Sequence, residues 1–223
     1  MKYSQYTKQM NEKLDLYKKM VLEYNEKINL TGITEDSEFT EKHFYDSIIP
    51  TSKINFNDKT IMDLGSGAGF PGIPLAILYP NSHFILVDPM IKRCNFLREV
   101  ISKCDLKNVE VLETRIEELP DKFFDYFDII VCRAVSKLNI LLEIAMPYLK
   151  VNGIFVAYKG MKYKEEINES ERALRILNSE IYDIQIRNLP ISYDSRYNII
   201  IKKMKEIDKK FPREFSQISK RPL

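Results

Sequence analysis

The sequence predicts an α/β fold built on a mostly parallel, seven-stranded sheet with an antiparallel last strand and a helical extension at the amino terminus. Three observations predict it. Apolar strand-like runs alternate with helical patterns five times, the first run leads into a glycine-rich turn at residues 63–72, and the second run ends in an acid, Asp88. Two further strand-like runs at 181–188 and 197–203 are close enough to pair antiparallel at the sheet edge.

The amino-terminal part of the chain predicts two helices. The first covers residues 4–30, where apolar side chains recur at three- and four-residue steps between Lys and Glu. Asn29-Leu30-Thr31-Gly32 ends this helix, and cap-type residues at 34–37 begin a second one. The second helix carries His43 and Asp46, which are three residues apart and therefore share a face.

The glycine-rich turn at 63–72 contains four of the seven glycines in the chain. A literal G-x-G-x-x-G begins at Gly67 and suggests a dinucleotide site. However, the turn itself starts at Gly65, and Pro71 removes an N–H donor that a pyrophosphate needs. The Asp63 carboxylate would repel a pyrophosphate but attract the ammonium and sulfonium of S-adenosylmethionine (SAM). The residues predicted here to bind SAM are Asp63, Gly65, Gly67 and Gly69.

The acid Asp88 stands 19 residues after Gly69, at the end of the strand predicted over 84–88. A carboxylate at the carboxyl end of this strand can accept hydrogen bonds from both hydroxyls of an adenosine ribose. That contact would serve NAD and SAM equally, so Asp88 supports a nucleotide cofactor without choosing between the two.

The remaining elements follow from periodicity and from Pro and Gly signals. Apolar runs predict strands, and spaced apolar residues predict helices that begin near Pro71 or end near Gly153. The predicted strands are 61–64, 84–88, 109–112, 127–132 and 153–160; the predicted helices are 71–80, 92–101, 138–149 and 163–178, with a short helix or loop at 115–119. We expect a helical extension at 1–50, a cofactor domain at 51–206 and a basic tail at 207–223.

Composition narrows the class of protein. The net charge is only +2, but from Arg196 onward nine Lys or Arg face three Asp or Glu, which suggests a polyanionic partner. The chain has three cysteines, which lack the close paired spacing of a disulfide framework or a zinc site. With only two histidines, a metal site rich in histidine is not expected either. With no long apolar run and no signal-type core after Met1, we expect a cytoplasmic protein without membrane contact, and a monomer.

Five strand–helix units followed by an antiparallel pair resemble the Rossmann-like class I SAM-dependent methyltransferases. A closer resemblance is carried by seven segments in order. They are Asn29-Leu30-Thr31, His43-x-x-Asp46-Ser47, residues 63–72, Lys92-Arg93-x-x-Phe96-Leu97, Arg115-Ile116-Glu117-Glu118, Cys132-Arg133-Ala134 and Tyr158-Lys159-Gly160. Together they resemble the glucose-inhibited division protein B family, also called ribosomal RNA small subunit methyltransferase G. The tail at 212–223 departs from the family pattern because it lacks a glycine.

The resemblance implies transfer of a methyl group from SAM to N7 of guanine 527 in 16S ribosomal RNA, either in the free RNA or in a small-subunit particle. By the same resemblance the cofactor would contact Gly65, Phe70, Asp88, the Ile116-Glu117 pair and Arg133. Guanine N7 has a free in-plane lone pair, so alignment matters more than a base and no acid–base residue is expected. The residues assigned to substrate positioning are Asn29, His43, Asp46, Lys92, Arg133, Lys159 and Arg196.

Two other functions stay open at this point. A glycine turn followed by an acid also fits an NAD-dependent oxidoreductase. A basic carboxyl-terminal segment also fits an RNA-binding module without catalysis.

Overall fold

Seven strands form one twisted sheet in the computed structural model, which describes residues 7–223. The strands are β1 (Thr60–Leu64), β2 (His83–Asp88), β3 (Val109–Glu113), β4 (Phe127–Arg133), β5 (Leu149–Lys159), β6 (Ser179–Asn188) and β7 (Ser195–Lys203). Their order across the sheet is β3-β2-β1-β4-β5-β7-β6. Strands β1 to β5 are parallel, and β7 runs antiparallel between β5 and β6. The predicted α/β fold, including the antiparallel last strand, is confirmed.

Helices cover both faces of the sheet. They are α1 (Lys8–Ile28), α2 (Asp36–Phe39), α3 (Asp46–Ile48), α4 (Gly72–Leu78), α5 (Ile91–Lys103), α6 (Leu138–Ala145), α7 (Tyr163–Ile176) and α8 (Phe215–Lys220). A π-helix at Thr40–Tyr45 joins α2 to α3, and single 3₁₀ turns occur at Ile49–Ser52, Ile116–Glu118, Asp121–Phe123 and Met146–Tyr148. The short element predicted at 115–119 is therefore a 3₁₀ turn.

The sheet has one hydrophobic core on each face, because successive strand side chains point to opposite sides. Along β1, Ile61 belongs to the core with α1, α4 and α5, whereas Met62 belongs to the core with α6, α7 and α8. Parallel strands that are covered on both faces read as continuous apolar runs. This burial explains why β1, β2 and β4 were visible in the sequence.

The first helix begins where Thr7 caps it, since the Thr7 hydroxyl accepts from the Met10 N–H at 3.2 Å. Its apolar stripe buries Leu14, Tyr17, Met20 and Val21 against the core, as the periodicity predicted. Residues 4–6 of the predicted helix lie outside the described residues. In addition, the Tyr17 hydroxyl donates to the Ala68 carbonyl at 2.7 Å, so α1 supports the glycine-rich turn directly.

The helix predicted over 138–149 ends earlier, at Ala145, and β5 begins at Leu149 rather than at 153. Pro147 has no N–H to continue a helix. The carbonyls of Pro147 and Tyr148 instead accept from the N–H groups of Asp125 and Tyr126, at 3.1 and 3.0 Å. These bonds draw the chain into the sheet about one helical turn before the glycine that the sequence suggested as the boundary.

The carboxyl-terminal segment at 207–223 is docked on the domain rather than a free basic tail. Phe211 and Ile218 are buried in the core beside α6. Arg213 forms two side-chain hydrogen bonds with Glu143, a wholly buried acid of α6. Lys203 is likewise buried, with its ammonium bonded to Asp125 and to the Leu149 carbonyl. Several of the basic residues counted in the sequence are thus internal ion-pair partners.

Within residues 7–223, no helix combines the length and apolar character that crossing a bilayer requires. All three cysteines are buried free thiols.

Candidate active site

The predicted site residues gather where the strand order reverses, at the carboxyl ends of β1 and β4. Chain connections from β1 lead outward to β2 and those from β4 lead the other way to β5, which leaves a crevice between them. Asp63 of β1 pairs in register with Val131 of β4, and Arg133 ends β4 two residues later. The glycine-rich turn and Arg133 therefore line two sides of one crevice.

The turn from Gly65 to Gly69 folds tightly over the end of β2. The N–H groups of Gly65 and Ser66 donate to the Val87 carbonyl at 2.9 and 3.1 Å. Gly65 and Gly67 have φ of 71° and 58°, a region that favours glycine. A Cβ on Gly65 would lie 2.5 Å from the Val135 side chain, but one on Gly67 would have no neighbour nearer than 4.0 Å. Gly67 thus leaves free space at the apex of the turn.

Asp63 lies beneath this turn and is fully buried. One carboxylate oxygen accepts from the Gly72 N–H at 3.0 Å, while Oδ1 has no hydrogen-bond partner in the structure. Burial raises the pKa of Asp63 to about 7, despite the Gly72 hydrogen bond. A buried carboxylate with one unmet oxygen is a suitable partner for a cation, so these residues fit a cofactor that carries an ammonium and a sulfonium.

Asp88 is also buried, and its carboxylate is already engaged by the chain. Oδ2 accepts from Gly67 N–H and Oδ1 from Met90 N–H, both at 2.9 Å, and an Arg93 nitrogen lies 3.6 Å from Oδ2. Asp88 therefore holds the apex of the glycine turn in place. Each oxygen keeps one further lone pair, and the ribose contact stays a prediction.

The Ile116-Glu117 pair follows β3 on the same edge of the sheet. Ile116 is buried in the core beside α6, and the Glu117 carboxylate lies 3.6 Å from Arg115. The pair borders the end of β2, because β2 and β3 are adjacent and parallel. Its predicted contact with the cofactor stays a prediction.

Arg133 is the centre of a polar cluster, which we call the Arg133 cluster: Arg133, His43, Asp46 and Arg196. The Arg133 guanidinium donates to the Lys42 carbonyl at 3.0 Å, to Asp46 at 3.2 Å and to His43 Nδ1 at 3.0 Å. The predicted common face of His43 and Asp46 is confirmed by this shared partner. Arg196 joins through its Nε, 3.5 Å from Asp46, and lies within β7 rather than before it.

Aromatic packing fixes the position of the cluster against the turn. The His43 ring stacks on Phe70, with centroids 4.3 Å apart and planes 7° apart. The Arg133 guanidinium lies over the same Phe70 ring, 5.1 Å from its centroid. Phe70 is buried and also packs against Tyr17. Phe70 therefore joins the glycine turn to the helices that carry His43.

His43 is held as one neutral tautomer. A guanidinium can only donate, so Nδ1 accepts and the proton lies on Nε2, which donates to the Thr31 hydroxyl at 2.8 Å. Burial, with the positive charge of Arg133, lowers the pKa of His43 to about 3. The Thr31 N–H in turn donates to Asn25 Oδ1 at 2.8 Å. The sequence identified Thr31 only as part of the segment Asn29-Leu30-Thr31 and did not identify Asn25, because no local pattern shows that the Asn25 side chain accepts from the N–H groups that follow α1.

Asp46 resembles Asp63 in having an unmet oxygen. It is buried, Oδ2 faces Arg133 and Arg196, and Oδ1 has no hydrogen-bond partner. Burial raises the pKa of Asp46 above its usual value, although both arginines act in the opposite direction.

Three residues assigned to substrate positioning lie apart from this cluster. Asn29 is exposed at the end of α1, and Lys92 is exposed on the first turn of α5. Lys159 is nearly buried, and its ammonium donates to Glu166 and to the Ser136 carbonyl, both at 2.7 Å. Lys159 was predicted to position the substrate, but its charge is neutralised by Glu166. Its hydrogen bond to Ser136 holds the loop after β4.

A mostly parallel sheet with an antiparallel seventh strand and a glycine turn at the reversal of strand order defines a class I SAM-dependent methyltransferase. Solved structures support the fold. TYW2 of M. jannaschii in complex with AdoMet aligns with a TM-score of 0.60 and 17% identity, covering 78% of this chain and 80% of that one. A SAM-dependent methyltransferase from Aquifex aeolicus aligns with a TM-score of 0.59 and 18% identity, covering 76% and 94%.

The profile of the family rRNA small subunit methyltransferase G matches residues 10–190. Ribosomal RNA small subunit methyltransferase G of Clostridium botulinum (strain Eklund 17B / Type B) is 40% identical, over 97% of this chain and 92% of that protein. The protein of the same name from Thermoanaerobacter sp. (strain X514) is 43% identical, over 95% and 90%. The chain therefore belongs to this family. The predicted family, enzyme class and SAM cofactor are confirmed, and NAD-dependent oxidoreduction and an RNA-binding role without catalysis are set aside.

We predict that Asp63→Asn stabilises the ligand-free protein at alkaline pH. The pKa of Asp63 is about 7 in the folded protein and 3.8 in the unfolded chain, so its contribution to the free energy of unfolding is fully present below pH 3.8. That contribution is lost as the pH rises from 3.8 through 7. The amide carries no charge, so the variant should gain on the order of a few kcal/mol relative to wild type between pH 4 and pH 8. Urea unfolding at several pH values measures this difference.

Asp128→Asn is the matched control. Thr60 N–H and Lys150 outweigh the effect of burial and lower the pKa of Asp128, so its contribution should fall as pH decreases, the opposite sign. A difference between Asp63→Asn and wild type that does not change with pH would show that Asp63 titrates normally.

We predict that Gly67→Asp weakens SAM binding by roughly tenfold or more while the protein stays folded. The new side chain has room for its Cβ but projects from the half-buried apex of the turn, where its carboxylate adds to the charge of Asp63. Asp tolerates positive φ better than most residues. Calorimetric titration with SAM measures the effect. Gly160→Asp, also in open space but outside the turn, should bind SAM normally; a Gly67→Asp affinity within a few-fold of wild type would refute the placement.

Proposed function

We propose that this protein transfers the methyl group of SAM to N7 of guanine 527 of 16S ribosomal RNA, in the small subunit or a particle assembled on that RNA. We also propose that it works as a cytoplasmic monomer. The observation that carries the proposal is the crevice between an acidic glycine turn and the Arg133 cluster. The turn suits a cationic cofactor, and the arginines suit the edge of a guanine or a phosphate.

The residues that would hold SAM line the turn and the strand ends beside it. Asp63 would offer its unmet oxygen to the ammonium group, and the absence of a side chain at Gly67 leaves space for the cofactor. Asp88, the Ile116-Glu117 pair and Arg133 lie on the neighbouring strand ends. When bound, SAM supplies an electrophilic methyl group on a sulfonium.

The protein has little chemistry to perform beyond orientation. Guanine N7 carries no proton, so the reaction needs a lone pair in line with the methyl group and exclusion of water. His43 is unsuited to act as a base, because its Nδ1 lone pair accepts from Arg133 and its pKa is about 3. The cluster instead keeps the Arg133 guanidinium at a constant position and charge.

Arg133 and Arg196 are the positioning residues that we propose for the guanine. Within the described residues Arg133 donates three hydrogen bonds through Nη1 and Nη2, which leaves Nε–H and one Nη2 hydrogen to donate; such donors match guanine O6 or phosphate oxygens. His43 and Asp46 act through Arg133. Asn29 and Lys92 are exposed and remain proposed rim contacts, whereas Lys159 acts by holding the loop after β4.

We predict that Arg133→Ala lowers methyl transfer at saturating RNA by roughly ten- to a hundredfold, because the reacting groups lose their alignment. Single-turnover methylation measures the rate, with SAM affinity measured in parallel. Arg98→Ala is the control, since Arg98 pairs with Glu113 on the outside of α5. A wild-type rate for Arg133→Ala at saturating RNA would contradict this role.

The basic carboxyl-terminal segment runs from the amino ends of the parallel strands to their carboxyl ends, where the crevice lies. Lys209 lines the same surface cleft as Asp125, which precedes β4, and so lies near the amino ends of the parallel strands, opposite the crevice. Phe215 then returns to the crevice edge, where Arg115 lies 5.9 Å from its ring just past the end of β3. Lys220 and Arg221 end α8 and are exposed. We propose that these last two contact RNA phosphates.

We predict that the double variant Lys220→Gln with Arg221→Gln flattens the dependence of log affinity on log salt by roughly 1.4 to 1.8, the loss of two phosphate contacts. RNA titrations at several salt concentrations measure the slope. Lys209→Gln with Lys210→Gln removes the same charge at the opposite edge and should leave the slope unchanged. Equal slopes for both double variants would contradict a phosphate contact at α8. Truncation is a poorer test, because it would also leave Glu143 buried and unpaired.

A further inference from the structure

The loop at 189–194 between β6 and β7 presents an exposed aromatic ring at the crevice edge. Tyr193 is 75% exposed, and its ring makes no aromatic contact with the described residues. Four residues later, Tyr197 of β7 pairs with Lys159 at the carboxyl end of β5. The loop therefore lies at the carboxyl ends of the parallel strands, as do the glycine turn and Arg133.

A buried acid holds this loop in place. Glu41 is only 3% exposed, and its carboxylate accepts from the N–H groups of Ile191 and Ser192. The ammonium of Lys42 lies 3.6 Å from Asp194. Because Glu41 and Lys42 directly precede His43, the loop is fixed to the same helical segment that positions the Arg133 cluster.

The backbone at Tyr193 is in a conformation that a tyrosine does not favour. Its φ is 58°, in the left-handed region where glycine or asparagine is preferred and a bulky residue is uncommon. The backbone there is tied by Tyr193 N–H to the Leu189 carbonyl at 3.2 Å and by Leu189 N–H to the Asp194 carbonyl at 2.9 Å. These bonds are made by the backbone and do not involve the ring, and strain of this kind concentrates at functional sites.

We propose that Tyr193 is a stacking platform for an unpaired RNA base next to the methylated guanine, and that Glu41 holds the platform beside Arg133. The inference rests on the proposed function, and it names a substrate contact. Unpaired bases in RNA loops stack on aromatic side chains, and neighbouring basic residues bind the phosphates between them. Lys42, which also bonds to Glu38, and Arg196, which also faces Asp46, lie on either side of the loop and neutralise Asp194, so that its carboxylate does not repel RNA phosphates.

The test is methylation of unmethylated small ribosomal subunits by wild type, Tyr193→Gly, Tyr193→Asn and Tyr193→Phe. Tyr193→Gly and Tyr193→Asn should raise KM for the subunits by about 5- to 150-fold, the loss of one stacked base. Their melting temperatures should equal or exceed that of wild type, since both residues relieve the strain at φ 58°. The SAM dissociation constant should not change. Tyr193→Phe keeps the ring and should stay within a few-fold of wild type.

Tyr182→Ala is the matched control. Tyr182 is 65% exposed but lies near the start of β6, at the end of the strands away from the crevice. It should methylate subunits normally. A wild-type KM in Tyr193→Gly and Tyr193→Asn overturns the inference, and so does a Phe variant as impaired as Gly. Loss of SAM affinity together with subunit affinity would also overturn it, because a merely structural role moves both. If wild type itself places no methyl group on N7, the proposed function fails instead.

Discussion

The burial of the Asp63 carboxylate is the constraint on which the rest of the site depends. β1 is covered on both faces, so an acid at its end is removed from water, and its pKa rises to about 7. Its Oδ2 needs the Gly72 N–H, and Gly72 must be glycine because a Cβ would lie 2.5 Å from that oxygen. This contact sets where α4 begins. The turn between β1 and α4 is then fixed at both ends, by Asp63 at Gly72 and by Asp88 at Gly67.

The amino-terminal helices are part of the site and not an addition to it. Tyr17 of α1 bonds to the glycine turn at Ala68, and Phe70 of the same turn stacks on His43. Without α1 and the π-helix, Arg133 would lose the Lys42 carbonyl and His43 as acceptors. Removing them would leave Asp46 and the Phe70 ring to hold the guanidinium, with fewer hydrogen bonds to fix its orientation. A methyl transfer that depends on alignment needs the opposite, so the sheet supplies the cofactor side and the extension supplies the rigidity.

Local patterns predicted the fold and the strand ends because burial on both faces, glycine turns and terminal acids each leave a signal within a few residues. Pairing over long sequence distances leaves none. Glu41 and Ile191 are 150 residues apart, and no periodicity connects them. For the same reason the sequence predicted free positive charges at Lys159, Lys203 and Arg213. A sequence shows a charged residue but not the acid that neutralises it. Asp88 was placed at the right strand end, yet its backbone partners at Gly67 and Met90 became visible only in the structure.

Arg133 acts electrostatically on two buried carboxylates, Asp63 and Asp46, each of which keeps one oxygen without a hydrogen-bond partner. Its positive charge favours ionisation of both, against the effect of burial. An unmet buried acceptor costs about 1–3 kcal/mol, so the protein without ligands is less stable than its packing alone would allow. A bound group that donates to such an oxygen recovers that free energy on binding. The crevice therefore suits donors and cations beside this arginine, which agrees with the cationic methyl donor and the guanine edge that we propose for it.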